Sequence, residues 1–185
     1  MSESMWNDRY RSEEYVYGRE PNDFLRAEAQ RIPPGPVLCL AEGEGRNATY
    51  LAGCGHAVTA VDFAEEGLRK TARLARERGV ELALVRADLS TYEPPADTRR
   101  RVLARASAAL RVGGCLILEA YTPAQIALGT GGPRDLALLA TLAELREELP
   151  SLELVVAREL ERHIEEGRLH SGRSATVQLL AVRRR

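Results

Sequence analysis

The chain has 185 residues, 44% of them apolar and 29% charged, with a formal charge of −1. That length suits one globular domain burying roughly 70% of the surface its unfolded form exposes, so a core needs neither disulfides nor a structural metal. The near-zero charge and a pI of about 6.3 give no field to hold a polyanion, which argues against a nucleic-acid partner. No apolar run approaches the roughly 20 residues of a membrane span, and the polar, acidic start Met1 to Glu14 does not read as a leader. A cytoplasmic protein with a small-molecule partner is expected.

Three widely spaced cysteines, Cys39, Cys54 and Cys115, read as buried reduced thiols. Lys70 is the only lysine.

Short apolar runs alternate with amphipathic stretches, the pattern of a parallel sheet covered by helices on both faces. The region Met5 to Arg31 carries Trp6, Tyr10, Tyr15 and Tyr17 and a turn over Gly18 to Asn22, and reads either as a lid packed over the carboxyl edge of the sheet or as a helix merely capping the core. After the loop Pro33 to Pro36 come a strand, Val37 to Ala41, a helix, Arg46 to Ala52, and a second strand, Ala57 to Val61, ending at Asp62. Glu65 to Arg78 is predicted as a surface helix with i,i+4 pairs Glu65–Arg69 and Glu66–Lys70, closed by Gly79 before the strand Glu81 to Arg86. Thr98 to Leu110 reads as a helix and Cys115 to Ala120 as a strong strand. The leucine stripe 138, 142, 145 and 149 predicts one helix over Arg134 to Leu149. Leu152 to Leu160 and Ser174 to Val182, joined through Gly167 and Gly172, should pair antiparallel. The expected architecture is α/β, a doubly wound, Rossmann-like, mostly parallel sheet closed by a C-terminal antiparallel hairpin.

The most informative stretch is Leu40-Ala41-Glu42-Gly43-Glu44-Gly45-Arg46-Asn47-Ala48, a strand running through a glycine turn into a helix. Gly43 and Gly45 let backbone press against a ligand, and the amides opening the helix point at an anion. The spacing also satisfies the dinucleotide fingerprint G-x-G-x-x-A, with Asp62 placed for ribose hydroxyls. Glu42 separates the alternatives, because its charge repels a pyrophosphate and attracts an ammonium. Asp88, after the third strand, gives three acids at three successive strand ends, along the edge where open α/β sheets bind ligands. A ligand with an amino-acid end, a ribose and an exocyclic amine uses all three acids, and S-adenosylmethionine is such a ligand.

The chain also resembles the class I S-adenosylmethionine-dependent methyltransferases, particularly the small tellurite-resistance or thiol methyltransferase type. The resemblance lies in Trp6 to Tyr10, Tyr17 to Leu25, Leu40 to Asn47, Gly55 to Asp62, Ala87 to Leu89 and Leu118 to Pro123. It implies a single methyltransferase-like domain over 1–185 with 1–31 as an N-terminal lid. It also implies that Glu42 and the backbone of Gly43 and Gly45, at the helix start with Asn47, hold the methionine end. Asp62 would take the ribose, Phe63 would lie against adenine, and Asp88 with the Leu89 amide would bind the adenine edge.

One departure stands out. Asp88 to Gly113 holds only the Pro94-Pro95 turn and one helix, so the fourth strand of the family pattern is missing from the sequence. Either the sheet closes up over a real deletion, or residues are omitted and the Cα trace breaks between Tyr92 and Thr98.

Methyl transfer to a soft anion such as a thiolate or a reduced chalcogen oxyanion needs no general base, and the sequence shows no unmistakable one. Candidates near the acceptor are Tyr10, Tyr17, Tyr121 and Thr122, with His163, His170 and Arg168 on the hairpin. Both hairpin histidines read first as exposed, and His56 as structural. The loop Gly129 to Pro133 reads as a mobile connection. The histidines and cysteines have no metal-ligand spacing. A nicotinamide oxidoreductase is the rival enzyme reading, lacking a Tyr-x-x-x-Lys site. A non-catalytic cofactor-binding or scaffold protein is the third.

Overall fold

The computed structural model describes residues 2–89 and 95–185, with backbone alone at 95–97. The chain forms two compact units. The first comprises residues 1–26, 34–89 and 166–168, and the second 27–33, 90–165 and 169–185.

In the first unit, β1 (Pro36–Leu40), β2 (Ala57–Asp62) and β3 (Ala83–Arg86) form a parallel sheet in the order β1-β2-β3. Leu40 lies opposite Val61, and Asp62 opposite Arg86. Val58, Ala60 and Val61 are buried, as the near-continuous apolar run of a covered parallel strand requires. Between the strands run α3 (Arg46–Gly53) and α4 (Glu65–Arg78). Gly79 ends α4 in the left-handed conformation (φ 63°), its amide bonded back to the last turn. At the start of the chain α1 (Glu3–Tyr10) is capped by the Ser2 hydroxyl, which accepts from the Met5 amide. A short helix, α2 (Asp23–Glu28), follows.

The second unit holds α5 (Pro95–Ala109), β4 (Cys115–Tyr121), α6 (Gln125–Leu128), α7 (Leu142–Glu148), β5 (Glu153–Glu166) and β6 (His170–Val182). Its sheet runs β4-β6-β5, with β4 and β6 antiparallel from Cys115 opposite Val182 to Tyr121 opposite Thr176. Leu103, Leu145, Leu149, Leu152, Val177 and Leu179 make its core.

The strands fall where expected within one or two residues, apart from a hairpin longer at its turn end. Among the described residues the strands make two separate three-stranded sheets, with β1 and β4 each at an edge, and Leu38 on β1 is 54% exposed. The possible break after Tyr92 lies outside the described residues.

Three local expectations are corrected. The helix over 134–149 is a 3-10 turn, Leu136–Leu138, followed by α7. Thr141 starts α7 with a capping box: its hydroxyl accepts from the Glu144 amide at 3.2 Å, and the Glu144 carboxylate accepts from the Thr141 amide at 2.8 Å. The motif T-x-x-E outranks the leucine stripe. Cys54 is exposed and Cys39 and Cys115 half-buried, all three free. Lys70, placed on a solvated face, is fully buried, and Arg69 pairs with Glu66 instead of Glu65.

Thr141→Ala should cost about 1 kcal/mol, the usual worth of an N-cap, read as a lower urea midpoint at unchanged slope. An unchanged midpoint would show that the box adds nothing to α7.

Candidate functional site

The turn from β1 to α3 is shaped by three consecutive alternate residues with positive φ: Ala41 (52°), Gly43 (64°) and Gly45 (90°). Ala41 is the one non-glycine residue in that region among those described, a conformation costing roughly 1–2 kcal/mol for a residue with a Cβ. A Cβ at Gly45 would lie 2.7 Å from Cα of Thr71 on α4, so this glycine is required by packing as well as by conformation. At Gly43 a Cβ would meet the Tyr10 hydroxyl at 2.7 Å, so the α1 aromatic side chain rests directly on the turn.

Asp62 and Glu42 hold this turn from opposite sides. Asp62 is buried and accepts the Gly43 amide on Oδ2 and the Ala64 amide on Oδ1, both at 2.8 Å. Glu42 accepts the amides of Asn47 (3.0 Å) and Ala48 (2.9 Å) on one oxygen, Oε1, capping α3. No protein group donates to its Oε2 among the described residues. Burial raises the Glu42 carboxyl to about 7 against the lowering effect of those two amides. Phe63 follows β2 half-buried. Asp88 is exposed two residues past β3, with Leu89 after it.

Asn47 accepts the Asn22 amide at 2.9 Å. Arg46 pairs with Glu166 at 2.8 Å, and Glu166 also accepts from the Asn22 side chain. The Arg168 amide donates to the Val16 carbonyl at 2.9 Å. The side chains of the turn and of α3 thus tie down residues 16–22 and 166–168.

Above Gly43 the rings of Trp6, Tyr10 and Tyr17 cluster with centroids 5.4 to 6.3 Å apart. Arg9 stacks 4.5 Å over Trp6 and donates to the Tyr17 hydroxyl at 2.9 Å. Burial, reinforced by Asp62, pushes the Tyr10 hydroxyl far up, and burial raises Tyr17 as well. Neither phenol ionises near neutrality, so neither can serve as a proton acceptor there.

The first unit therefore gathers Tyr10, Tyr17, Glu42, Gly43, Gly45, Asn47, Asp62 and Phe63 around one turn. Tyr121 belongs to the second unit, where its ring meets His170 edge-on at 5.3 Å. His170 is half-buried, so the expectation of an exposed histidine holds only for His163. The Gly129–Pro133 loop is fastened rather than free: buried Gln125 donates to the Gly131 carbonyl (3.0 Å) and Thr130 hydroxyl (3.1 Å) and accepts from the Ala175 amide (2.8 Å). Sequence reading missed Glu44 and Lys70. Both are buried and paired at 2.6 Å, although Lys70 shares the stripe Gly67, Lys70, Thr71, Leu74 with residues expected in a core.

A strand, a glycine turn closed by an acid from the next strand, and a helix form a nucleoside-binding arrangement. Residues 37–114 match the family model described as Methyltransferase domain. No match was found among curated proteins.

Among solved structures, one is a protein studied for conversion of a disulfide bond into a thioacetal group during echinomycin biosynthesis. It is 17% identical at a TM-score of 0.75, over 97% of this chain and 91% of that one. TehB from Haemophilus influenzae is 17% identical at a TM-score of 0.68, over 98% of this chain and 66% of TehB. The N-methyltransferase NodS from Bradyrhizobium japonicum WM9, solved with S-adenosyl-L-homocysteine, is 12% identical at 0.68, over the whole of both chains. The fold of the chain is the one shared by these solved structures. No helix among the described residues is long and apolar enough to cross a membrane.

Asp62→Ala leaves the amides of Gly43 and Ala64 without this acceptor. At about 1–3 kcal/mol each, the loss should be about 2–6 kcal/mol by urea denaturation, with Asp62→Asn in between; a loss below about 0.5 kcal/mol would remove Asp62 as the clamp. Glu42 predicts a pH effect of definite sign. The folded form holds its proton more tightly than the unfolded chain, so this group's contribution falls as pH rises from the ordinary carboxylate range through about 7. Glu42→Gln should flatten that part of the stability profile, and identical profiles would refute the assignment.

Proposed function

We propose that the chain binds S-adenosylmethionine at the Gly43–Gly45 turn and transfers its methyl group to a small soft acceptor, a thiol or a reduced chalcogen oxyanion. The observation that carries this reading is Glu42. Its Oε1 is committed to the helix amides while Oε2 takes no protein donor, leaving a carboxylate oxygen at the strand tip for an ammonium. The same carboxylate repels a pyrophosphate, which disfavours a dinucleotide.

On this reading Glu42, the Gly43 and Gly45 backbone and Asn47 face the methionine end. Asp62 keeps lone pairs beyond the two amides it accepts and takes the ribose, with Phe63 beside adenine and Asp88 and Leu89 at its edge. Tyr10 and Tyr17 face the acceptor. Residues 1–31 act as the lid of one methyltransferase domain formed by the whole chain.

When bound, the cofactor supplies an electrophilic methyl group. The protein's part is to align the acceptor with it and to exclude water, which the Trp6, Tyr10 and Tyr17 cluster above Gly43 is built to do. A soft acceptor agrees with the raised phenols of Tyr10 and Tyr17, since a thiolate arrives already deprotonated. The similar fold of the protein studied for conversion of a disulfide bond into a thioacetal group supports a sulfur acceptor. A free, exposed Cys54 suits the reducing cytoplasm.

Calorimetric titration with S-adenosylmethionine, S-adenosylhomocysteine and NAD tests the reading. Saturable binding of the first two and none of NAD is expected, followed by S-adenosylhomocysteine release with small thiols, tellurite or selenite but not with phenols. Binding of NAD alone, or of none of the three, would overturn it.

A further inference from the structure

Glu44 lies inside the cofactor turn, between Gly43 and Gly45, yet its side chain serves neither the sheet nor α3. Its carboxylate is buried, 3% exposed, and accepts the Val16 amide on Oε1 at 3.2 Å and the Tyr17 amide on Oε2 at 3.1 Å. Lys70 of α4, 0% exposed, donates to the same Oε1 at 2.6 Å and to the Glu14 carbonyl at 2.5 Å. Tyr15 covers the pair, its ring 5.1 Å from the ammonium and its hydroxyl donating to the Lys70 carbonyl at 3.2 Å. Every group of the 14–17 backbone named here is gripped by one residue of the turn or by that residue's ion-pair partner.

Burying two charges is a poor route to stability, because desolvation offsets their attraction and well-packed apolar groups do as well. What the pair does supply is geometry. A carboxylate fixed from behind by an ammonium presents its two oxygens to two successive amides, and those amides carry Tyr17 and the aromatic cluster seated on Gly43.

We infer that Lys70 is a positioning residue: by holding the Glu44 carboxylate it latches residues 14–17 to the glycine turn, so that cofactor contact at the turn and closure of the aromatic segment are one event. The inference rests on the cofactor reading above. By linkage, whatever steadies the turn also steadies the segment, and the reverse.

The experiment pairs S-adenosylhomocysteine titration with amide hydrogen exchange at Val16 and Tyr17, each read on the full chain. In Glu44→Leu/Lys70→Met both buried charges are replaced by apolar side chains, so neither is left unpaired, but both amides lose their acceptor. Exchange at Val16 and Tyr17 should quicken at least tenfold and affinity should fall at least tenfold. Glu44→Gln/Lys70→Met restores one carbonyl oxygen, so one of the two amides should regain protection and affinity should recover part of the way.

Wild-type exchange and affinity in the first variant would overturn the latch. Should that variant not fold, full protection of both amides with wild-type affinity in the second would overturn it equally. Failure of the wild-type protein itself to bind S-adenosylhomocysteine would instead sink the cofactor reading, while the exchange data still judge the latch. A merely structural pair would lower the unfolding midpoint without moving either readout in the folded protein.

Discussion

The glycine turn after β1 takes its observed shape with the help of one carboxylate that reaches across from the next strand. Asp62 takes the amides of Gly43 and Ala64 on separate oxygens, which joins the end of β1 to the start of α4 through a side chain that belongs to neither. The left-handed residues at 41, 43 and 45 are held by this clamp together with the Thr71 hydroxyl, which donates to the Gly43 carbonyl at 2.9 Å, so their unfavourable conformation is over-determined by its surroundings. The helix amides, the Tyr10 contact and the Glu44 carboxylate all take their positions from the turn so fixed.

Acidic residues do three different jobs within this small region. Asp62 holds one backbone amide on each oxygen and so shapes the turn, with acceptor capacity left over. Glu42 spends one oxygen on the α3 amides and keeps the other open, so it stands between architecture and recognition. Glu44 is turned away from the sheet toward the N-terminal segment. All three are carboxylates, and the direction of the side chain and the groups it meets distinguish their parts.

The second unit shows the same competition between pattern and local chemistry. Leu142, Leu145 and Leu149 do face its core, so the leucine stripe was informative about burial. It misled about continuity, because the Thr141 to Glu144 capping box starts a new helix in the middle of the stripe. A local hydrogen-bonded motif fixes backbone directly, whereas a stripe fixes only which face is apolar.

By itself the sequence determined the strand and helix order, the glycine turn and the acids at its strand ends, because these follow from short-range periodicity and from residues whose conformational range is narrow. Only the tertiary structure decided that the strands divide between two sheets, that the sole lysine is a buried partner of Glu44, that Cys54 is exposed, and which carboxylate oxygen stays open. Those outcomes depend on groups far apart in the chain: Lys70 and Glu44 meet across 26 positions, and no local pattern records which distant group will remove a charge from water.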